Sequence, residues 1–97
     1  MTPEGKVKAA VKKLLETSHT YFFMPVSNGM GRHGIPDVIA CANGHFIGIE
    51  CKAGKGKTTA LQDRELEQIR AAGGSALIIN EGNIHDLEEE IKKYIQC

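Results

Sequence analysis

The sequence predicts an α/β fold whose helices and strands follow one another in the order αβββαβα. Asn43-Gly44 lies between two apolar runs and predicts a β-hairpin, because a type I′ turn requires positive φ at both central residues. A helical pattern then separates the hairpin from a last short apolar strand. The third and fourth strands are therefore predicted to be parallel, which makes the sheet mixed and flanks it with helices.

The first part of the chain predicts a helix, a strand and a loop. Thr2-Pro3-Glu4 predicts the start of a first helix that ends near Thr17, since a hydroxyl N-cap, a proline at the first helical position and an early acid all favour a helix N-terminus. Residues 20–26 are rich in aromatic and β-branched side chains and predict the first strand. The next residues, 27–34, contain three glycines and are predicted to form a loop.

The second half begins with a basic, glycine-containing loop at residues 53–57. Thr59-x-x-Gln62 has the form of a capping box and predicts a helix that reaches about Ala72. Residues 75–79 form a short apolar strand, and a last helix is predicted from near Ile84, where apolar residues recur at helical spacing.

Composition places limits on the kind of protein this is. With 97 residues, 41% of them hydrophobic, residues 1–97 are predicted to form one small domain with a modest core. No apolar run approaches about 20 residues and no signal-peptide pattern is present, so an intracellular protein without a membrane span is expected. Cys41, His45 and Cys51 suggest zinc, but the two cysteines fall on opposite faces of the predicted hairpin, which disfavours a tetrahedral site.

The net charge of zero hides an asymmetry. Residues 1–57 carry a charge of +4 and residues 58–97 a charge of −4. The basic half could hold a polyanion such as nucleic acid, or it could form an ordinary solvated face. Its cationic residues are Lys6, Lys8, Lys12, Lys13, Arg32, Lys52, Lys55 and Lys57.

The hairpin register brings two acids together. If Ala42 faces His45 across the turn, Asp37 lies opposite Glu50, and Lys52 projects from the same face. Opposed residues have Cβ atoms about 5 Å apart, and two ionised carboxylates at that range repel by about 3 kcal/mol at an effective dielectric constant near 20. A divalent metal or a shared proton would compensate this repulsion, and carboxylate oxygens are what hard cations bind.

These motifs support a family resemblance. Gly34-Ile35-Pro36-Asp37 before the second strand and Glu50-Cys51-Lys52 at the end of the third, in this order of elements, resemble the PD-(D/E)XK nuclease superfamily. Together with a glutamine in the next helix, they most resemble the VRR-NUC (virus-type replication-repair nuclease) domains, over almost the whole chain. The resemblance implies a restriction-endonuclease-like αβββαβ core with a C-terminal helix, in a minimal stand-alone form of viral or phage type.

The resemblance also implies an activity, which is structure-selective, metal-dependent hydrolysis of DNA phosphodiesters. Resolution of four-way (Holliday) junctions by a homodimer is expected, because two symmetric cuts require two active sites. Tyr21, Phe22 and Phe23 or the last helix would form the interface. Two alternatives stay open: a nuclease of the same fold that acts on flaps or linear ends, and a DNA-binding module without catalysis.

Individual roles follow from the resemblance and the chemistry. Asp37, Glu50 and the main-chain carbonyl of Cys51 are expected to bind Mg²⁺, for which Mn²⁺ can substitute. Lys52 would orient a water or stabilise phosphate charge, or act only as a counter-ion. Glu4 is either a further metal-linked acid or a first-turn acid that complements the helix dipole, and Gln62 belongs to the cap or to the catalytic site.

DNA contacts are expected from the loops beside these residues. Arg32 and His33 lie in the glycine-rich loop before the second strand, and Lys55 and Lys57 in the basic loop before the second helix. Ser27 and Asn28 are further candidates for contact with the DNA backbone.

Overall fold

The computed structural model describes residues 1–26 and 32–95. It contains three helices and four strands in the predicted order: α1 (Pro3–Thr17), β1 (Tyr21–Phe23), β2 (Val38–Ala42), β3 (His45–Cys51), α2 (Ala60–Ala71), β4 (Ser75–Ile79) and α3 (Ile84–Ile95). The strands form one sheet in the order β1-β2-β3-β4. β3 pairs with β4 in parallel and the other pairs are antiparallel, so the predicted mixed sheet is confirmed. Within the described residues, no helix is long and apolar enough to cross a bilayer.

The hairpin forms with the predicted turn and register. Asn43 and Gly44 both have positive φ, 51° and 88°, as a type I′ turn demands. Ala42 pairs with His45, and the ladder runs on to Val38 opposite Ile49. Asp37 directly precedes β2, one step beyond the last pair.

The two predicted helix caps are also confirmed. The Thr2 hydroxyl accepts from the N–H of Gly5 at 3.0 Å, and proline follows it at the first helical position. At α2 the capping box is complete, because Thr59 and Gln62 exchange side chain to main chain bonds in both directions.

The first strand is shorter than residues 20–26. The Thr20 N–H donates to the Leu15 carbonyl at 3.1 Å, which ties Thr20 to the end of α1. At the other end Pro25 has no N–H to give to a ladder. Only Tyr21–Phe23 therefore pairs with β2.

The two faces of the sheet are covered differently. On one face α1 and α3 enclose a hydrophobic core built on alternate strand residues, which include Val38, Ile47 and Ile49. α2 packs on the other face, where a Cβ at Gly48 would lie 2.6 Å from the Ile69 side chain. The absence of a side chain at Gly48 thus allows α2 to lie close to the strand that carries Glu50.

Candidate active site

Three segments meet at the carboxyl end of β3: the loop that leads into β2, the end of β3 itself, and the first turn of α2. Glu50 is common to the contacts, because its Oε2 lies 3.7 Å from Lys52 Nζ and accepts from Gln62 Nε2 at 2.9 Å. Asp37 joins through the main chain, since its Oδ2 accepts from the Cys51 N–H at 2.8 Å. The four residues predicted to be catalytic are therefore brought together.

Within the described part of the chain, Glu50 is a buried acid with hydrogen-bond or ion-pair partners for only one of its two carboxylate oxygens. The residue is 2% exposed, and its Oε1 has no hydrogen-bond partner among the described residues. Burial, followed by the negative charge of Asp37 and the bond that a protonated Glu50 could donate to it, raises the pKa of Glu50 to about 7, against the opposing effect of Lys52. The site thus holds an excess of negative charge that a proton or a cation can relieve.

Asp37 is held by its loop as well as by the main chain of β3. Gly34 in that loop has a φ of 83°, and a Cβ there would lie 2.6 Å from the main-chain carbon of Leu61. A glycine is therefore required, both for its conformation and for its contact with α2. This close approach fixes the loop of Asp37 against the helix turn that carries Gln62.

Gln62 makes hydrogen bonds both to the helix cap and to Glu50. Its Oε1 accepts from the Thr59 N–H at 2.9 Å and closes the capping box. Its Nε2 meanwhile donates to Glu50. The cap consequently orients the amide so that its donor faces the buried acid.

Cys51 contributes through its main chain. Its side chain is fully buried in the core, and burial, reinforced by Asp37 and Glu50, raises the pKa of the thiol to about 12. The thiol stays protonated within the hydrophobic core. Cys41 is exposed, so the two cysteines lie on opposite faces as predicted.

Glu4, the further acid expected near the metal, lies in the first turn of α1. Among residues 1–26 and 32–95, no three His, Cys, Asp or Glu side chains converge to hold a metal. Glu4 Oε2 instead pairs with Lys8 Nζ at 3.6 Å, and the same ammonium lies 3.6 Å from Asp37 Oδ1.

Lys8 is the site residue that the sequence reasoning missed. Burial alone would lower its pKa, but Asp37 and Glu4 outweigh burial and raise it, so the ammonium stays charged. The available signal was its position four residues after Glu4, the spacing of a helical ion pair.

The residues predicted to contact DNA differ in whether other side chains already bind them. Arg32 donates to Glu65 at 2.8 Å and to Gln68 at 2.7 Å, which docks it on α2. His33 is exposed beside Arg64, a further cation that lines the same shallow groove. Lys55 and Lys57 are exposed in the loop before α2. Ser27 and Asn28 lie outside the described residues.

Comparison with known proteins identifies the family and the fold. Residues 8–89 match the family model described as archaeal Holliday junction resolvase (Hjc). The chain belongs to this family. A solved structure named "VRR_NUC domain" superposes with a TM-score of 0.77 at 23% identity and covers 92% of this chain and 97% of its own.

A second solved structure, named "VRR_NUC domain protein", has a TM-score of 0.70 at 19% identity and covers 98% of this chain and 89% of its own. At these identities the likeness concerns the fold, and it confirms the predicted α/β architecture. A search of curated proteins finds no match.

Proposed function

We propose that this chain is a metal-dependent, structure-selective endodeoxyribonuclease that resolves four-way DNA junctions as a homodimer. The observation that carries the proposal is the acid pair of Asp37 and Glu50, held beside Lys52 and Gln62 with one buried carboxylate oxygen left without a partner. Membership of the Hjc family points to junctions as the substrate. A viral or phage origin stays a prediction.

The residues present fit a hard divalent cation. An unpartnered buried oxygen of Glu50 beside a second carboxylate is costly for a protein that has no ion to place there. Mg²⁺ commonly uses one or two carboxylates and completes its sphere with water and substrate phosphate, so two acids and the Cys51 carbonyl suffice. When bound, the ion neutralises charge on the scissile phosphate and lowers the pKa of a water ligand, and Mn²⁺ can replace it.

The chain's own groups complete the chemistry. The Lys52 side chain is 15% exposed and is held by Glu50, so its ammonium enters the reaction in one position. There it can orient the attacking water or stabilise the phosphate oxygens. Gln62 holds Glu50 from the α2 side, and the Cys51 N–H holds Asp37.

A homodimer would account for the uncovered part of the sheet. On the α2 side, Tyr21, Phe23 and Phe46 are 72%, 49% and 44% exposed. Phe23 and Phe46 line an open groove of about 620 Å³ next to α2. Phe22 points the other way and packs against the core, so of the three predicted interface aromatics only Tyr21 and Phe23 are available to a second copy. Exposed apolar surface of this kind commonly marks an interface.

DNA would be held by cations around the acids. Lys55, Lys57 and His33 are exposed, and we include Arg32, whose release from Glu65 would free its guanidinium for phosphate. Binding through such contacts weakens steeply as salt rises.

The test is a cleavage panel with an immobile four-way junction, a flap, a linear duplex and a single strand, each with Mg²⁺, Mn²⁺ or chelator. We expect paired symmetric cuts in the junction that require a metal, and a dimer mass by light scattering at micromolar concentration. Asp37→Asn serves as the inactive control. A monomer that trims linear ends and ignores junctions would contradict the junction and dimer parts, and cleavage in chelator would contradict the metal.

A further inference from the structure

Lys8 lies inside the candidate metal site although it comes from a different element. Its Nζ is 3.6 Å from Asp37 Oδ1 and 3.6 Å from Glu4 Oε2. The Lys8 side chain is 38% exposed and that of Asp37 22%, so the pair is partly shielded from solvent. The α1 helix thus places one positively charged side chain beside the acids that β2 and β3 bring together.

The carboxylate oxygens divide into those already held and those that remain. Asp37 Oδ2 is taken by the Cys51 N–H, and Glu50 Oε2 by Gln62 and Lys52. Glu50 Oε1 has no partner among the described residues. Asp37 Oδ1 is the oxygen of that acid that the main chain leaves open, and Lys8 faces it.

We propose that Lys8 is a built-in counter-cation that a divalent metal must displace from Asp37. The proposal rests on the metal dependence proposed above. Without metal, the ammonium offsets the repulsion between Asp37 and Glu50 and stabilises the fold. When the ion binds, Lys8 leaves Asp37 Oδ1 and stays with Glu4, its partner one helical turn away.

This assigns Glu4 a role that differs from that of a metal ligand. Glu4 acts through Lys8, because it offers the displaced ammonium a second carboxylate on the same helix. Lys8 remains charged throughout, so the exchange involves no proton. Its effect on metal affinity is electrostatic, because the ammonium of Lys8 repels a divalent ion at the neighbouring site.

The experiment compares Lys8→Gln with Lys12→Gln. Both variants remove one charge from an α1 lysine and keep a good helix former, but Lys12 is one turn farther along and exposed. The binding of Mn²⁺ is measured from the paramagnetic resonance signal of the free ion, and the binding of Mg²⁺ by calorimetry. Thermal unfolding is followed in chelator. We expect Lys8→Gln to bind either ion roughly tenfold more tightly and to unfold at a lower temperature without metal. Lys12→Gln should change both much less, and Lys8→Arg, which keeps the charge, should resemble the parent.

Three results would overturn the proposal. One is unchanged or weaker ion binding by Lys8→Gln with a native circular dichroism spectrum. The second is an equal change in Lys12→Gln, which would reduce the effect to net charge. The third is a loss of ion affinity on Glu4→Gln that persists in the Lys8→Gln background, since Glu4 would then act directly rather than through Lys8. A parent protein that binds neither ion would refute the metal proposal itself, and so is distinguishable from failure of Lys8 alone.

Discussion

The polar groups at the two ends of β3 differ in how completely they are hydrogen-bonded. At its start, His45 lies 2.8 Å from the Ser75 hydroxyl, which donates to Glu90 at 2.6 Å. Tyr94 also donates to Glu90, at 3.3 Å, and its ring stacks on His45. At the end of the same strand, Glu50 keeps a buried oxygen without a partner among the described residues.

The titration of the two glutamates reflects this difference. Burial acts to raise the pKa of both acids. At Glu90, the hydrogen bonds from Ser75 and Lys93 overcome burial and lower the pKa. At Glu50, a neighbouring acid adds to burial and raises it. A satisfied acid network stabilises a fold, whereas an acid whose bonds are incomplete is poised for a ligand, and we infer that only the second end is functional.

The largest expected effect comes from exchanging the acids at each end for amides. Glu50→Gln should lower the cleavage rate at least about 10³-fold, because a metal ligand is lost. The fold should persist, since the substitution removes the repulsion between Asp37 and Glu50. Asp37→Asn should behave alike. Glu90→Gln should keep cleavage but lose about 1 kcal/mol of stability with its hydrogen bonds. Single-turnover cleavage and urea unfolding measure the two quantities.

The comparison of the two ends would be wrong if Glu90→Gln reduced cleavage as strongly as Glu50→Gln at equal stability. Full activity of both Asp37→Asn and Glu50→Gln would remove the acids from the site altogether.

The next effect concerns Lys52. Lys52→Ala should slow the chemical step by about 10²–10³-fold, since it removes one positioned charge from the reacting phosphate. Metal affinity should persist and DNA affinity should fall only slightly. Single-turnover rates and fluorescence anisotropy with labelled junctions separate these terms, and Lys93→Ala, which removes a lysine that pairs with Glu90 at the other end, is the control. A near-normal single-turnover rate would make Lys52 a counter-ion.

The pH dependence of stability should distinguish the ends without any substrate. Because the folded state raises the pKa of Glu50 from 4.5 to about 7, its contribution is fully present below about pH 4.5 and is lost as pH rises through 7. The free energy of unfolding without metal should therefore fall by about 2–3 kcal/mol over that window. Glu90, whose pKa is lowered, loses its contribution only as pH falls.

Urea unfolding in chelator at several pH values tests this window. Glu50→Gln should flatten the decline, and saturating Mg²⁺ should oppose it, because the ion binds the ionised acid. A decline of the same size in Glu50→Gln would assign it to another group.

The parts of the site that were predictable depend on local signals. Asn43-Gly44 set the hairpin register, and counting from it brought Asp37 and Glu50 together before any tertiary contact was known. The capping box predicted the bonds between Gln62 and Thr59, whereas the place of Gln62 at the site came from the family resemblance. Lys8 could not be placed, because its contact with Asp37 depends on how α1 packs against the sheet.

Other features were hidden for the same reason. The sequence marked Arg32 as a phosphate ligand, but its pairing with Glu65 joins residues 33 positions apart. The open groove beside Phe23 and Phe46 exists because α2 packs over Gly48, on the neighbouring part of the sheet. Such contacts follow from the assembled layers and leave no periodic signal in the chain.

The smallest effect separates the two bonds that Gln62 makes. Thr59→Ala removes the hydroxyl that accepts from the Gln62 N–H at 3.2 Å and should cost about 1 kcal/mol of stability. Gln62→Ala loses a comparable cap bond and also the donor to Glu50, so it should in addition slow cleavage by about tenfold, the value of one bond to a charged group. Thermal unfolding and single-turnover cleavage are compared for both variants. Equal slowing in the two would mean that Gln62 acts only by capping α2, whereas slowing confined to Gln62→Ala shows that its amide positions the buried acid.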